Sequence, residues 1–271
     1  MYTTQSFIRW ALATFTAGVL LGGLITVGAL EPVAQAQTAQ EIIAASDKVR
    51  NPSQPFRLTN TLTEYRSGEE KGRIVLLISS KLDQSSGQFR NVARYAEPPR
   101  DAGKLILMVG TTMWFYDPAS KASVRLSPQQ RLVGQASNGD AITVNLAKDY
   151  TGTIAGEEKI QDADRKDRNT WHLELKAANE SATYARAEYW IEKGTFYPIK
   201  SKLYSDSGRL LKIVYFRKFE TQLGGTRPME AILIDGVDNR LITRMSFSNY
   251  QYQDIPEAWF QREYLPRIGN D

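Results

Sequence analysis

"FRLTNTLTEYRSGEEKGRIVLLI", residues 56–78, decides the fold class of this 271-residue chain. Apolar residues alternate with arginine and threonine as far as Leu62, and the alternation resumes from Ile74 to Ile78 after the polar turn SGEEKG. When apolar residues repeat at every second position, they lie on one face of a β-strand and the residues between them lie on the other. The stretch therefore predicts an antiparallel hairpin with one apolar face and one polar face.

The same alternation recurs along most of the chain and indicates about a dozen strands at hairpin spacing. Turn signals such as Asp206-Ser207-Gly208 and Asp235-Gly236 separate the later runs. This pattern predicts a mainly β (α+β) fold built as an antiparallel meander. The further strand-like runs are residues 89–95, 105–109, 171–175, 185–191, 199–204, 211–219, 229–234 and 241–250.

Helical patterns are few and short. We expect an amphipathic helix over Gln40–Val49, a short helix capped by Asp140 and running to Leu146, and a helical turn or docking segment over Glu257–Tyr264. These short helices are too small to cover the apolar face of so broad a sheet. If they do not fill the space beside that face, an apolar cavity remains, and such a cavity is the usual site for an apolar ligand. A fully packed barrel without a cavity is the alternative.

The N-terminal 36 residues have the order of an export signal. Arg9 is followed by a run without charge from Trp10 to Leu30, and Ala34-Gln35-Ala36 forms a small-x-small cleavage site. The apolar run also approaches the roughly 20 residues that span a bilayer. We expect residues 1–36 to be a signal peptide or an uncleaved N-terminal anchor, and residues 37–271 to form a single β domain outside the cytoplasm.

The composition narrows the class of function. The chain has no cysteine, so its stability must come from a packed core, and lipid cannot be attached through a cysteine. Its net charge of +4 is small and its charges are interspersed, which argues against nucleic acid as a partner. Attraction to anionic lipid or to an acidic partner stays open.

No catalytic motif is present. The sequence lacks H-E-x-x-H, G-x-S-x-G and a glycine-rich phosphate loop. The single histidine, His172, falls on the polar side of a predicted strand, and Asp162, Asp164 and Asp167 alternate with basic residues as at a solvated hairpin tip. We therefore expect no enzymatic activity, no metal site and no cofactor.

A stretch of four large consecutive side chains, Met113 to Tyr116, predicts a strand that is covered on both faces. The segment around it, "YAEPPRDAGKLILMVGTTMWFYDPASKASVRLS" at residues 95–127, resembles the LolA-like outer-membrane lipoprotein-sorting family. That family shows a Pro-Pro with a following acidic residue and glycine, an apolar strand, a glycine, Met-Trp-x-Tyr and a proline. The resemblance continues in "RLVGQASNGDAI" (131–142), "YWIEKGTFYPIKSKLYSDSGRLLKIVYF" (189–216), "RPMEAILID" (227–235) and "TRMSFSNYQYQDIPEAWFQREYL" (243–265).

The resemblance covers about Ile42 to Leu265 and implies both a fold and a function. The fold would be a curved, incomplete antiparallel β-barrel closed by a few short helices around an apolar cavity. The function would be that of a monomeric periplasmic carrier, in a Gram-negative-type cell, that takes lipoprotein acyl chains or lipid from an inner-membrane transporter to an outer-membrane acceptor. A membrane-tethered lipid sensor or exporter accessory with the same fold is the alternative.

Two features depart from the family pattern. The loop Gln135 to Asp140 is poorer in acidic residues, and the apolar leader is unusually long. Strand parity selects the residues expected to line the cavity, although a strand bulge would invert the choice. They are Leu58, Leu62, Leu76, Ile78, Trp114, Tyr116, Trp171, Leu173, Ile213, Tyr215, Leu233, Met245 and Phe247.

Overall fold

A computed structural model describes residues 37–180 and 182–268. The predicted signal peptide or anchor, residues 1–36, lies outside the described residues, so the domain boundary at Ala36 stays a prediction. No helix among the described residues is long and apolar enough to cross a membrane.

Fifteen strands within the described residues confirm the predicted antiparallel β architecture. All pairings are antiparallel, and 13 strands form one sheet in the order β6-β5-β4-β3-β2-β1-β15-β14-β13-β12-β11-β10-β9. Within the described residues the edge strands β6 and β9 do not pair with each other, so the sheet is open, as an incomplete barrel requires. The strands are β1 (Phe56–Arg66), β2 (Glu69–Leu82), β3 (Phe89–Glu97), β4 (Leu105–Val109), β5 (Thr112–Asp117), β6 (Ala122–Leu126), β7 (Arg131–Val133), β8 (Ala136–Ser137), β9 (Tyr150–Gln161), β10 (Asp167–Ala177), β11 (Arg186–Glu192), β12 (Pro198–Tyr204), β13 (Leu210–Gln222), β14 (Gly225–Asp235) and β15 (Leu241–Tyr252).

The first and last strands join two meanders into this one sheet. β1 pairs with β15 along nearly its whole length, with Leu62 opposite Met245, while the remaining neighbours in the sheet are consecutive hairpins. β7 and β8 form a separate two-stranded ribbon. Chain segments between β6 and β9 are thereby free to cross the concave face of the large sheet.

The helices are α1 (Ala39–Arg50), α2 (Asn138–Ala141) and α3 (Leu146–Asp149). α1 confirms the first helical prediction and begins with a capping box, in which Thr38 Oγ1 accepts from the Glu41 N–H and Glu41 Oε2 accepts from the Thr38 N–H. The predicted single helix from Asp140 to Leu146 is wrong. It is two single turns separated by residues 142–145, because the β-branched run Ile142-Thr143-Val144 disfavours helix.

The C-terminal residues form two 3₁₀ stretches, Glu257–Phe260 and Arg262–Arg267. They coincide with the predicted helical turn or docking segment. They cover the outer face of β3 to β5, where Phe260 and Leu265 pack in one cluster with Tyr116. On the opposite face of β5, Met113 is 1% exposed and belongs to the concave core. The prediction that Met113 to Tyr116 form a strand covered on both faces is confirmed.

Candidate functional site: an apolar cavity under a clamped plug

A cavity of about 160 Å³ lies between the concave face of the sheet and the segment that crosses it. We call residues 138–149, comprising α2, the linker 142–145 and α3, the plug. A cavity of about 150 Å³ lined by apolar side chains stays dry and holds a benzene-sized ligand. The site therefore has room for a short piece of hydrocarbon without any rearrangement.

The cavity wall is mainly apolar and comes from three sources. Strands β2, β1, β15, β14 and β13 supply one part, the plug supplies a second, and β10 to β12 supply a third. Such a wall selects a ligand by girth and apolar length, since it offers few polar partners. Its apolar and aromatic members are Phe56, Leu58, Ile78, Ala141, Ile142, Val144, Leu146, Tyr150, Leu175, Tyr184, Ala187, Tyr189, Leu203, Val214, Phe216, Pro228, Ala231, Leu233, Met245, Phe247 and Tyr250.

Five residues of the predicted lining lie on this wall: Leu58, Ile78, Leu233, Met245 and Phe247. Leu62 and Leu76 are fully buried in the same concave core without bordering the cavity. Trp171 and Leu173 pack in the neighbouring cluster that includes α1, while Leu175 of the same strand reaches the cavity. That lipid contacts any of these residues stays a prediction.

Trp114 and Tyr116 do not line the cavity, which corrects their assignment. Both pack on the outer face of the sheet under the C-terminal segment, and Arg262 lies 4.3 Å above the Trp114 ring. Because all four side chains from Met113 to Tyr116 are large, parity alone could not say which pair faces inward. It is Met113 and Phe115 that pack in the concave core.

Ile213 and Tyr215 are also placed on the wrong face by the sequence. Val214 and Phe216 of the same strand line the cavity, and Lys212 shares their parity. The choice of Ile213 and Tyr215 by strand parity implies that Lys212 faces solvent. Lys212 instead points inward and is buried, because Asp140 of the plug neutralises it at 2.9 Å.

A polar clamp on the concave face holds the linker of the plug. Asn91 accepts a hydrogen bond from the Thr143 N–H (3.2 Å) and donates one to the Thr143 carbonyl (2.9 Å). Ser80 donates to Asn91 Oδ1 (2.7 Å) and lies 2.9 Å from the Thr143 hydroxyl, and Asn60 donates to the Ala141 carbonyl (3.1 Å). The sheet side chains thus satisfy a backbone that has no ladder of its own.

Sequence reasoning missed this clamp, although a signal for it exists. Asn60 has the same parity as Leu58 and Leu62, and Ser80 and Asn91 likewise stand at apolar-parity positions of the next two strands. All three are 0% exposed. A polar residue at an inward position of three adjacent strands indicates a shared buried partner, because buried polar groups are almost always hydrogen-bonded.

The ends of the plug are held separately. Asn145 N–H donates to Gln88 Oε1 (2.7 Å), and Gln88 Nε2 donates to the Asn145 carbonyl (3.1 Å). At the other end, Tyr184 donates to Asp140 Oδ2 (2.7 Å), and Lys212 donates to the same carboxylate and to the Gln135 carbonyl. Burial and the adjacent Asp140 carboxylate raise the pKa of Tyr184 well above its usual value, so this hydroxyl remains a donor.

α1 is fastened to both the plug and the sheet. Asp47 Oδ2 accepts from the Ala147 N–H (2.8 Å), which satisfies an otherwise free N–H of α3. Complete burial raises the pKa of Asp47 to about 6, against the opposing pull of Arg50. From β14, buried Arg227 donates to the Val49 carbonyl (3.0 Å) at the C-terminal end of α1.

The residues considered for catalysis lie away from the cavity. His172 Nδ1 is 2.7 Å from Glu158 Oε1, and its ring stacks on Trp190 on the outer face of β10 and β11. Asp162 and Asp164 lie at the β9–β10 hairpin tip, where Arg168 and Arg217 pair with them. No group of three or more His, Asp or Glu side chains within the described ranges is arranged to hold a metal ion.

Comparisons with known proteins agree with this architecture. A family model described as "Uncharacterized protein" matches residues 87–267. A LolA superfamily protein from Nitrosomonas europaea is 29% identical, with a TM-score of 0.75 over 84% of this chain and 100% of that chain. No curated protein matches the chain.

Two more distant structures share the fold alone. A domain assigned to outer membrane lipoprotein sorting from Vibrio parahaemolyticus is 18% identical, with a TM-score of 0.70 over 84% of this chain and 98% of that chain. A DUF1329 family protein from Desulfovibrio piger is 20% identical, with a TM-score of 0.70 over 83% of this chain and 97% of that chain. The chain belongs to the family of the matching model, and its fold is that of the LolA superfamily.

Proposed function

We propose that this protein is a periplasmic, non-enzymatic carrier that binds lipoprotein acyl chains or lipid in its apolar cavity and passes them toward the outer membrane. The single observation that carries the proposal is the apolar cavity between the sheet and the plug. The fold, which it shares with lipoprotein-sorting proteins, supports the same assignment.

Burial of methylene groups supplies the driving force, at about 0.8 kcal/mol for each CH₂ removed from water. The cavity as it stands accepts about six carbons by comparison with a benzene-sized site, which corresponds to about 5 kcal/mol. A full acyl chain needs more room than 160 Å³. We therefore infer that the plug moves away from the sheet when cargo enters, and that its clamp closes the empty protein.

A fluorescent 18-carbon fatty acid, cis-parinaric acid, tests the site directly. Ala231 is 4% exposed and borders the cavity, so Ala231→Phe fills the space that the ligand needs. We expect saturable binding to the unmodified protein, with an affinity at least tenfold lower in Ala231→Phe. The matched control Ala119→Phe adds the same ring at an exposed position outside the cavity and should bind as the unmodified protein does.

The outcomes separate cleanly. Absence of saturable binding by the unmodified protein contradicts the proposal, as does equal binding by a folded Ala231→Phe variant. Circular dichroism and the unfolding midpoint establish that the variant is folded.

The proposed periplasmic location rests on the small-x-small site at Ala34-Gln35-Ala36. N-terminal sequencing of protein from fractionated cells tests it. A mature chain beginning at Gln37 in the soluble periplasmic fraction agrees with a diffusing carrier. A chain that retains residues 1–36 in the inner membrane contradicts it and favours a tethered accessory protein.

A further inference from the structure

A second groove, of about 620 Å³, crosses the outer face of the sheet on the side opposite the cavity. Strands β15, β1, β2 and β3 form its floor, and Trp259 and Ile268 of the C-terminal segment line it as well. Its side chains are mostly polar or cationic, in contrast to the cavity. We call it the outer groove.

Two arginines of the outer groove have no carboxylate partner among the described residues. The Arg57 side chain on β1 donates only to the Gln251 side-chain amide (2.6 and 3.1 Å), and the Arg94 side chain on β3 makes no hydrogen bond or ion pair within residues 37–180 and 182–268. Arg57 lies opposite Ser79 and Arg94 opposite Leu77 of the strand between them. Strand spacing and residue rise therefore put their Cα atoms about 12 Å apart.

A neighbouring pair of basic residues on the same face of the sheet already binds a carboxylate. Lys81 and Arg90 stand opposite each other on β2 and β3, and Glu257 of the C-terminal segment bridges them at 2.6 Å and 2.6 Å. Hydrogen bonds from Arg90 and Lys81 lower the pKa of Glu257 to about 2. Arg94 lies four residues further along the same strand, where no described acidic side chain fills the equivalent position.

The wall of the outer groove also holds an unpaired donor and an unpaired acceptor. Trp259 Nε1 and Gln253 Oε1 are buried and have no hydrogen-bond partner among the described residues. Buried polar atoms in native structures nearly always find a partner. A peptide backbone carries both the acceptor that the indole N–H lacks and the donor that the amide oxygen lacks, and reaching these two buried atoms requires the side chains to turn toward the groove.

We propose that the outer groove binds an extended acidic segment of a partner polypeptide, with carboxylates on Arg57 and Arg94. In an extended chain, side chains at i and i+4 point to the same side and lie about 13 Å apart, which matches the spacing of the two arginines. A lipid surface fits less well, because it is broad and offers no amide to the walls of a groove. This interaction is separate from the acyl cavity and goes beyond carriage of lipid.

Fluorescence anisotropy with a fluorescein-labelled (Glu-Thr)₅ peptide tests the inference. We expect saturable binding to the full chain, and binding at least tenfold weaker in Arg57→Gln/Arg94→Gln. The control pair Arg131→Gln/Arg209→Gln removes the same charge at two exposed arginines outside the groove and should leave the affinity unchanged. The (Gln-Thr)₅ peptide should bind at least tenfold more weakly than (Glu-Thr)₅.

Any of four results overturns the inference. The first two are no saturable binding of (Glu-Thr)₅ and equal binding of the two peptides. The third is an equal loss in both arginine pairs, which would indicate attraction to net charge alone. The fourth is binding to vesicles that contain phosphatidylglycerol, lost when Arg57 and Arg94 are replaced, while neither phosphatidylcholine vesicles nor the peptide bind. That result would identify an anionic lipid surface as the ligand.

Discussion

Substitution Asn91→Leu should release the plug while leaving the sheet folded. The change keeps the approximate shape of the side chain and removes its two hydrogen bonds with Thr143, one accepted from the N–H and one donated to the carbonyl. Each such bond contributes about 1 kcal/mol, so the free energy of opening the plug should fall by about 2 kcal/mol. That corresponds to about a thirtyfold rise in the population of the open form.

Hydrogen exchange followed by mass spectrometry measures this directly. Peptides covering residues 139–146 should exchange about thirtyfold faster in Asn91→Leu. Asn60→Leu removes one bond, to the Ala141 carbonyl, and should accelerate the same peptides about fivefold. The control Asn169→Leu alters an exposed asparagine of β10 and should change nothing in the plug.

A graded response confined to the plug supports the clamp, and it should be accompanied by faster entry of cis-parinaric acid. Unchanged exchange at residues 139–146 in Asn91→Leu would refute the reasoning. A uniform rise across β1, β2 and β3 would also refute it, because it would show that Asn91 stabilises the sheet and not the closed plug.

Three further outcomes are expected. Leu233→Ala deletes a cavity-wall side chain that is 2% exposed, so the free energy of unfolding measured in urea should fall by about 2–5 kcal/mol; a loss below about 1 kcal/mol would contradict its place in the wall. The pKa of Asp47 in the folded protein, about 6, lies above its value in the unfolded chain, so protonation of this carboxyl favours the folded state. This stabilisation, about 3 kcal/mol, is lost as the pH rises from 4 through 6. The variant Asp47→Asn should not lose stability over this range, and parallel pH profiles of the unfolding free energy for the two proteins would contradict the reasoning. Gly139→Ala would place a Cβ 2.0 Å from Thr183 Oγ1 and should lower the unfolding free energy by about 1–3 kcal/mol. In the control Gly156→Ala the new Cβ meets nothing within 4 Å, so the unfolding free energy should fall by less than about 1 kcal/mol. Similar losses of unfolding free energy at the two sites would refute the close contact at Gly139.

The strands of the sheet could be predicted from the sequence because each strand is specified by residues close together in the chain. Alternation of apolar and polar residues between Phe56 and Ile78 reports strand and face at once, and turn residues such as Asp235-Gly236 mark the hairpins. The capped helix α1 was similarly visible from its spacing. The pairing of β1 with β15 was not, since it joins residues about 190 positions apart, such as Phe56 and Tyr252, and depends on long-range packing.

The site was predicted less well where charge or bulk broke the alternation. Lys212 has the parity of the cavity wall, but its inward position depends on Asp140, which lies 72 residues earlier in the chain. Trp114 and Tyr116 are outward because the C-terminal segment covers them, and nothing near them in the sequence reports that cover. By contrast, Asn60, Ser80 and Asn91 carried a readable signal in their parity.

Native mass spectrometry of the protein, purified gently from its own cell envelope, tests the central claim most directly. We expect a population whose excess mass equals one lipid or lipopeptide, present in the unmodified protein and diminished in Ala231→Phe. Protein that is bare in repeated preparations, or adducts that Ala231→Phe retains in full, would show that the cavity does not hold the cargo.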